Sequence, residues 1–490
     1  MAESQAMNNM QIDQLVQGVI QEIGGETAEQ ELRRQRHQYD SPVAVSPGSG
    51  DGIFPDPDSA VEAARLAFEQ LSEMPLERRK HIIEAMRATS REHAHVLAHF
   101  AVEETGMGRA DDKTQKNLLV ANKTPGPEFL DTAAYTGDAG LTITEYAPYG
   151  VIASITPSTN PTSTTINNSI SMIGAGNAVV FNAHPGAKGC SAYTIQLLNR
   201  AIQSAGGPAN LLTCVADPTI ESAQALMVHG KVRLLAVTGG IGVVREAMKS
   251  GKRAVCAGPG NPPVVVDETA DIMQAGRDVV RGGAFDNNLV CVTEKTCIVV
   301  ETMIDDLVAS ITRHGGYLVS SWQLRRLLKS ILAEDRGPGT YSLMNREFIG
   351  QNASVLLKEI GVNVGDEVRQ IVAVVEPDHQ LVWSEQMMPV MPVVPVPNVE
   401  VGIELAVASE HGFGHTAVMH SKNVDHMTRM ARVMDCSIFV KNGPSIAGLG
   451  WGGEGYTSFT ISTPTGEGLT TCRSFSRLRR CSLVDGFRIV

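Results

Sequence analysis

Between residues 150 and 257 the chain alternates short apolar runs with helix-patterned stretches, and this rhythm constrains the fold more than any other feature. Residues 150–155, 178–181, 211–215, 232–237 and 254–257 read as strands; 164–173, 187–203, 220–228 and 243–248 read as the helices between them. These runs are apolar at successive positions, so both faces need cover. Parallel strands buried under helices provide it, and the expected class is α/β with a doubly covered parallel sheet. Such a sheet takes nucleotides at the carboxyl ends of its strands.

A second α/β segment follows, with strands at 263–266, 295–300, 371–375 and 393–396 and helices at 271–283, 305–313 and 324–333. Ahead of the first segment, helical periodicity covers 60–71, 76–105 and 111–121, and weak alternation over 141–151 predicts a hairpin or edge strand. His95 and His99 stand four apart on a predicted helix, but no HExxH pattern accompanies them, and no metal site is expected.

The first residues form a separate signal. Met10, Ile12, Leu15, Val16, Val19, Ile20 and Ile23 make one apolar stripe, and Gly24-Gly25 can end the helix. Residues 25–56, polar and then rich in Pro, Gly and Ser, read as a linker. A helix this short is marginal in water and needs a surface for its stripe, either its own globular body or another protein.

Composition excludes several classes. The 490 residues are about three domains' worth of chain. The net charge of −12 argues against a nucleic-acid scaffold. The apolar run 387–397 contains four prolines and is too short to span a membrane; no secretory signal is seen, and a membrane location is not expected. Eight cysteines are scattered without a CxxC, as expected of reduced thiols in a cytosolic protein. The basic stretch 473–480, with Arg473, Arg477, Arg479 and Arg480, reads as a solvated or salt-bridged strand or as a phosphate site.

Three segments carry candidate chemistry. Gly239-Gly240-Ile241-Gly242 follows a strand and opens a helix, a setting for phosphate at a helix N-terminus, although Arg245 stands where a dinucleotide fingerprint has its third glycine. Cys291 follows the Asn-rich turn Phe285-Asp286-Asn287-Asn288, where a thiol can be exposed among backbone N–H groups; a small buried apolar side chain is the alternative. Asn160, between Pro157 and Pro161 at a strand's carboxyl end, can present a fixed amide donor to an oxyanion or simply shape a turn.

Taken in order, Thr156-Pro157 with Asn160, Gly176-Asn177-Ala178-Val179-Val180, Val237-Thr238-Gly239, Cys291 after its turn, and Glu385 before Pro389-Val390 resemble the aldehyde dehydrogenase superfamily over roughly residues 50–490. Hydrolytic members have an E-L-G-G-K segment whose Glu activates water; here it is Cys256-Ala257-Gly258-Pro259-Gly260-Asn261, with Cys256 at the Glu place. The Lys and Glu that hold the adenosine ribose are replaced by Asn182 and Pro185, and Met387-Met388 follow Glu385 in place of an aromatic-Gly pair. Together with Gly414-His415-Thr416 and the tail from Trp451 to Arg473, these departures resemble the CoA-acylating branch, and most of all the acetaldehyde and propionaldehyde dehydrogenases of bacterial microcompartments.

The resemblance implies oxidation of a short aldehyde, propionaldehyde or acetaldehyde, to acyl-CoA with NAD reduced. Cys291 would be the nucleophile, Asn160 and the Cys291 N–H the oxyanion donors, and His415 the acceptor of a thiol proton. Thr156, Pro157, Asn182, Thr238, Gly239, Gly240 and Glu385 would hold the cofactor, Glu385 through the nicotinamide ribose. NAD is favoured over NADP by the missing ribose Lys and the lack of an added Arg nearby. The family layout implies a Rossmann-like cofactor domain over 40–126 and 150–257, a catalytic domain over 258–450, and a β arm from 127–149 and 470–490 that joins subunits into a homodimer or homotetramer. Residues 1–24 would act as an encapsulation helix that binds a microcompartment shell protein within the bacterial cytoplasm. The rival readings are a hydrolytic aldehyde dehydrogenase making free acid and a non-enzymatic microcompartment cargo or scaffold protein.

Overall fold

The structure, a computed structural model, describes residues 51–489. The amphipathic helix at 10–23 and all but the end of the 25–56 linker lie outside the described residues.

The predicted alternation folds into a six-stranded parallel sheet in the order Ile53–Phe54, Leu212–Val215, Ala178–Asn182, Val151–Ile155, Val232–Thr238, Ala254–Ala257. The chain starts its winding at Val151–Ile155, goes outward on one side, then returns to lay Val232–Thr238 against the other side, with Ile155 opposite Val237. This reversal leaves a crevice at the carboxyl ends of those two strands.

Every residue of Val151–Ile155 and Ala178–Asn182 is buried, as the apolar runs require. The helix Pro161–Gly174 is also buried along its whole length, although more than half of it is Ser, Thr and Asn. Several of its polar groups are paired with neighbouring segments: Thr162 donates to Asn117 Oδ1 (2.9 Å), Asn167 to Thr124 Oγ1 (2.9 Å) and Asn168 to Ser154 Oγ (3.0 Å). Buried polar groups are tolerated when so satisfied, and they hold this helix rigidly.

A second, seven-stranded parallel sheet runs Gly316–Leu318, Gln370–Val374, Val390–Val396, Thr296–Val300, Pro263–Val266, Thr416–His420, Ile438–Lys441. Sequence periodicity did not mark Gly316–Leu318, Thr416–His420 or Ile438–Lys441. It also began the Val390–Val396 strand three residues late, because Pro392 discourages a central-strand reading. The stretch read as one helix over 76–105 is two, Leu76–Glu92 and Ala94–Thr105, divided at His93 (φ −98°, ψ 7°).

The expected hairpin is Ala133–Gly137 paired with Gly140–Pro148, and Ser476–Val484 joins it as an antiparallel third strand. Leu478 (62%) and Val484 (75%) are exposed on that strand. Arg473 reaches back to Asp131 (2.6 Å) and lies over the Tyr146 ring, which answers the phosphate-site alternative with an ion pair for that residue. Among the described residues no helix is long and apolar enough to cross a membrane. No group of three His, Cys, Asp or Glu side chains among them is placed to hold a metal ion.

Candidate active site

The second sheet assembles its chemistry at the amino ends of its strands. Glu385, Cys291, Gly260 and His415 each precede one of four neighbouring strands, Val390–Val396, Thr296–Val300, Pro263–Val266 and Thr416–His420. Sheet order alone therefore gathers residues more than a hundred positions apart. That edge meets the crevice of the first sheet around a cavity of about 980 Å³. Thr156, Pro157, Asn160, Asn182, Thr238, Gly239, Gly240, Cys291 and Glu385 all line it. His415 does not: it is wholly buried one layer back, and a Cβ added to Gly260 would sit 3.0 Å both from its ring and from the Cys291 carbonyl oxygen.

The turn before Cys291 is unusual backbone. Asp286, Asn287 and Asn288 have φ of 47°, 54° and 66°, three successive left-handed residues that only surrounding contacts can hold. Each is tied down. Asp286 accepts from the Arg109 N–H (2.8 Å), from Lys113 Nζ (3.0 Å) and from Lys116 Nζ. Asn287 donates to the Gly350 carbonyl (2.8 Å) and to Asn352 (2.8 Å). Asn288 donates to the Gly283 (2.7 Å) and Glu294 (2.9 Å) carbonyls, while buried Lys295 donates to its carbonyl and side-chain oxygens, both at 2.7 Å.

Cys291 keeps partial exposure through the cavity. Burial and the nearby Glu385 carboxylate push its thiol up to about 12, against Lys295 and Lys116, so the resting group is a thiol. Its own N–H lies beside the sulfur. Burial also raises Glu385, while the Lys295 ammonium and the Gly260 N–H pull it back. Burial, with Lys295 adding to the effect, brings His415 down to about 4; Nδ1 is bonded to Thr416 Oγ1 (2.9 Å) and Nε2 has no partner.

Asn160 caps the buried helix Pro161–Gly174, with Pro161 in its first position. Its Oδ1 accepts from Lys116 Nζ at 2.6 Å, which fixes the amide and leaves Nδ2 as the donor end. Nδ2 gives one hydrogen to Thr159 Oγ1 (3.2 Å), and the second is available.

The remaining wall fits a dinucleotide. The helix Ile241–Lys249 starts at the cavity with Gly240 and no side-chain cap, and an added Cβ at Gly240 or Gly242 would meet nothing within 4 Å. Free N–H groups and bare glycine backbone there suit a diphosphate. Asn182 accepts from Ser222 Oγ (2.6 Å), and the strand end carries no charge. Arg346, remote along the chain from Asn182, lines the same cavity, so the expectation of no nearby Arg holds only along the sequence.

Cys256, placed by sequence at the position of a water-activating Glu, is wholly buried, and Ala257, Gly258 and Pro259 line the cavity in its stead. Sequence reasoning missed Lys113, Lys116, Asp286 and Lys295. Two lysines three apart on a charged helix read as a solvated face, and only their complete burial reveals the role.

A model of the aldehyde dehydrogenase family matches residues 54–318, more than half of the chain. The chain is 48% identical over 487 residues to an acetaldehyde dehydrogenase (acetylating) of Salmonella typhimurium, covering 99% of this chain and 100% of that one. Among solved structures it resembles a Rhodopseudomonas palustris propionaldehyde dehydrogenase with bound CoA and an acylated cysteine (44% identity, 90% of this chain, 99% of that chain, TM-score 0.86). It also resembles a propionaldehyde dehydrogenase from the Clostridium phytofermentans fucose utilisation bacterial microcompartment (43% identity, 90% of this chain, 100% of that chain, TM-score 0.87). With this fold, this cavity and these relatives, the chain belongs to the aldehyde dehydrogenase family.

Proposed function

We propose that the protein oxidises a short aliphatic aldehyde, propionaldehyde or acetaldehyde, in the reaction aldehyde + CoA + NAD+ → acyl-CoA + NADH + H+. The chain is a CoA-acylating aldehyde dehydrogenase, an oxidoreductase that uses CoA and a nicotinamide dinucleotide. One observation carries the residue assignment: a thiol at the amino edge of one sheet and an oriented Asn160 amide at the carboxyl edge of the other share one cavity.

In this reading the Cys291 thiol gives its proton to solvent, Sγ bonds to the aldehyde carbon, and the carbonyl π electrons move onto oxygen. The Asn160 Nδ2–H and the Cys291 N–H receive that oxyanion; losing one such donor costs about 3–4 kcal/mol of transition-state stabilisation. When bound, NAD+ supplies the acceptor for the hydride that leaves the thiohemiacetal carbon. Thr156, Pro157, Asn182, Thr238, Gly239 and Gly240 would form its wall and Glu385 would meet its ribose, a reading their shared cavity supports. A thioester remains on Cys291. The CoA thiol loses its proton, attacks the acyl carbon and releases Cys291 as the leaving group. His415 is the candidate acceptor of that proton: its neutral ring and unpartnered Nε2 support the role, and its position behind Gly260 requires the route to open there. We assign 40–126 and 150–257 to cofactor binding and 258–450 to the thiol chemistry, which rests on the two-sheet division.

Hydrolysis is the second outcome open to the thioester. Among the cavity acids only Glu385 lies near Cys291, so it is the one candidate for activating water. Omitting CoA tests this directly. NADH formation should stop after about one equivalent per site, and addition of CoA should restore steady turnover. Continued NADH production with free acid and no CoA would overturn the acylating assignment.

The chain would work inside a bacterial microcompartment as a homodimer or homotetramer. The exposed arm of Gly140–Pro148 and Ser476–Val484, which shows Leu478, Leu483 and Val484 among its arginines, supports subunit pairing. The striped segment 10–23 supports docking on a shell protein. Deleting residues 1–24 should leave kcat within about twofold, because that segment is separated from the body by a polar linker, and should end co-purification with shells. A truncated protein that loses activity would place the helix in the enzyme's own core.

A further inference from the structure

Two buried lysines stand behind the amide assigned to the oxyanion. Lys113 and Lys116 are 2% and 1% exposed, one helical turn apart on Ala110–Lys123, and both bond to Asp286, which is wholly buried. Asp286 belongs to the left-handed turn that leads to Cys291. Lys113 Nζ also donates to the Thr159 carbonyl (3.0 Å), and Lys116 Nζ to Asn160 Oδ1 (2.6 Å). The same two ammonium groups therefore touch the nucleophile's turn on one side and residues 159 and 160 on the other.

Burying two cations against one anion is costly; a single Lys or an apolar pair would fill the space more cheaply. An amide can rotate by half a turn and exchange its oxygen for its nitrogen with little change in shape. Only a strong donor on the oxygen side prevents this. An ammonium is such a donor, since it has no lone pair to accept from the amide nitrogen.

We infer that Lys116 is a positioning residue for the reaction: bridging Asp286 to Asn160 Oδ1, it locks the Asn160 amide with its N–H end toward the cavity and in register with Cys291. The inference rests on Asn160 being the oxyanion donor. Lys113 holds the backbone of the preceding residue and completes the brace. A net positive charge of one thus lies directly behind the amide, and it strengthens the N–H end through the amide dipole.

The test compares Lys116→Met and Lys116→Gln with Asn160→Ala. Methionine keeps the volume and offers no donor. Glutamine can still give an N–H to Asn160 Oδ1. Lys116→Met should lower kcat about 10²-fold, the cost of a misplaced catalytic group, with KM for NAD+ unchanged. Lys116→Gln should recover at least tenfold of that loss at the same melting temperature. The double variant Lys116→Met/Asn160→Ala should be no slower than Asn160→Ala alone. Wild-type kcat in Lys116→Met beside a crippled Asn160→Ala, or losses that multiply in the double variant, would overturn the inference and leave the oxyanion assignment standing. Full activity in Asn160→Ala would overturn that assignment itself. If neither Lys116 variant folds, Asn160→Asp decides. A carboxylate there balances the two lysines, so the melting temperature should rise while kcat collapses for want of an N–H. A melting temperature unchanged or lowered would mean that Lys116 does not engage residue 160.

Discussion

Cys291→Ala should reduce NADH formation by about 10⁴-fold or more, because the covalent bond that precedes hydride transfer in the proposed sequence is made to that sulfur. Binding of NADH, followed by its fluorescence, should be unchanged, since the wall proposed for the dinucleotide, Thr156, Thr238, Gly239 and Gly240, belongs to the other sheet. The rival thiols are poor substitutes. Cys256 and Cys297 are wholly buried, with burial holding the Cys256 thiol up at about 11 and Cys297 higher still. Turnover within tenfold of wild type in Cys291→Ala would move the nucleophile elsewhere. The intact enzyme should also gain rate as pH rises from 7 to 9. A thiol held up at about 12 is ionised in only a small fraction of molecules, and each pH unit multiplies that fraction tenfold.

Much of the architecture was legible because it is written in local pattern. The runs that became Val151–Ile155, Ala178–Asn182 and Val232–Thr238 are apolar at most positions on both faces, as strands of a covered parallel sheet are. The amide site was legible for the same reason: Pro157 and Pro161 flank Asn160 and fix where the strand stops and the helix starts. Cys291 was different. Nothing local separates it from seven other cysteines, and the choice came from the order of several motifs in a known family. His415 shows the limit of that route. The motif placed it in the right strand neighbourhood, but Gly260 stands between it and the cavity, a relation between distant segments that no motif encodes.

The hidden charges were the least legible part. Helix Ala110–Lys123 carries Asp, Lys and Gln at spacings that fit a solvated face. Pro161–Gly174, rich in Thr, Ser and Asn, looks equally suited to water. The two pack together, with Thr162 bonded to Asn117 between them and Lys113 bonded to Asp286 of the turn. Hydropathy counts such residues as exposed, because it prices each side chain without its partner. The site thus sits where local pattern and tertiary burial disagree, as expected of a place selected for chemistry.

That disagreement has an energetic consequence at Asp286. Its carboxyl is held below the usual carboxylate range by Lys113 and Lys116, against the opposing effect of burial. A depressed carboxylate stabilises the fold at pH values above its unfolded value near 3.8, and the contribution is lost as pH falls through the folded value. Asp286→Ala removes the anion bonded to both lysines and leaves two buried ammonium groups facing each other. Breaking a buried pair this way typically costs about 3–5 kcal/mol, so the urea midpoint at pH 7 should fall steeply. Burial already brings Lys116 down to about 8 in the intact protein, and without Asp286 it should fall further. Unfolded Lys116, near 10.4, would then hold more protons than the folded residue. Stability of the variant must therefore rise with pH across 7 to 9.5 more steeply than that of wild type. The gap between the two urea curves should narrow over that range. A deficit below about 1 kcal/mol at pH 7, or one that widens as pH rises, would mean that the lysines do not depend on Asp286 for their charge, and the brace between the Cys291 turn and Asn160 would lose its physical basis.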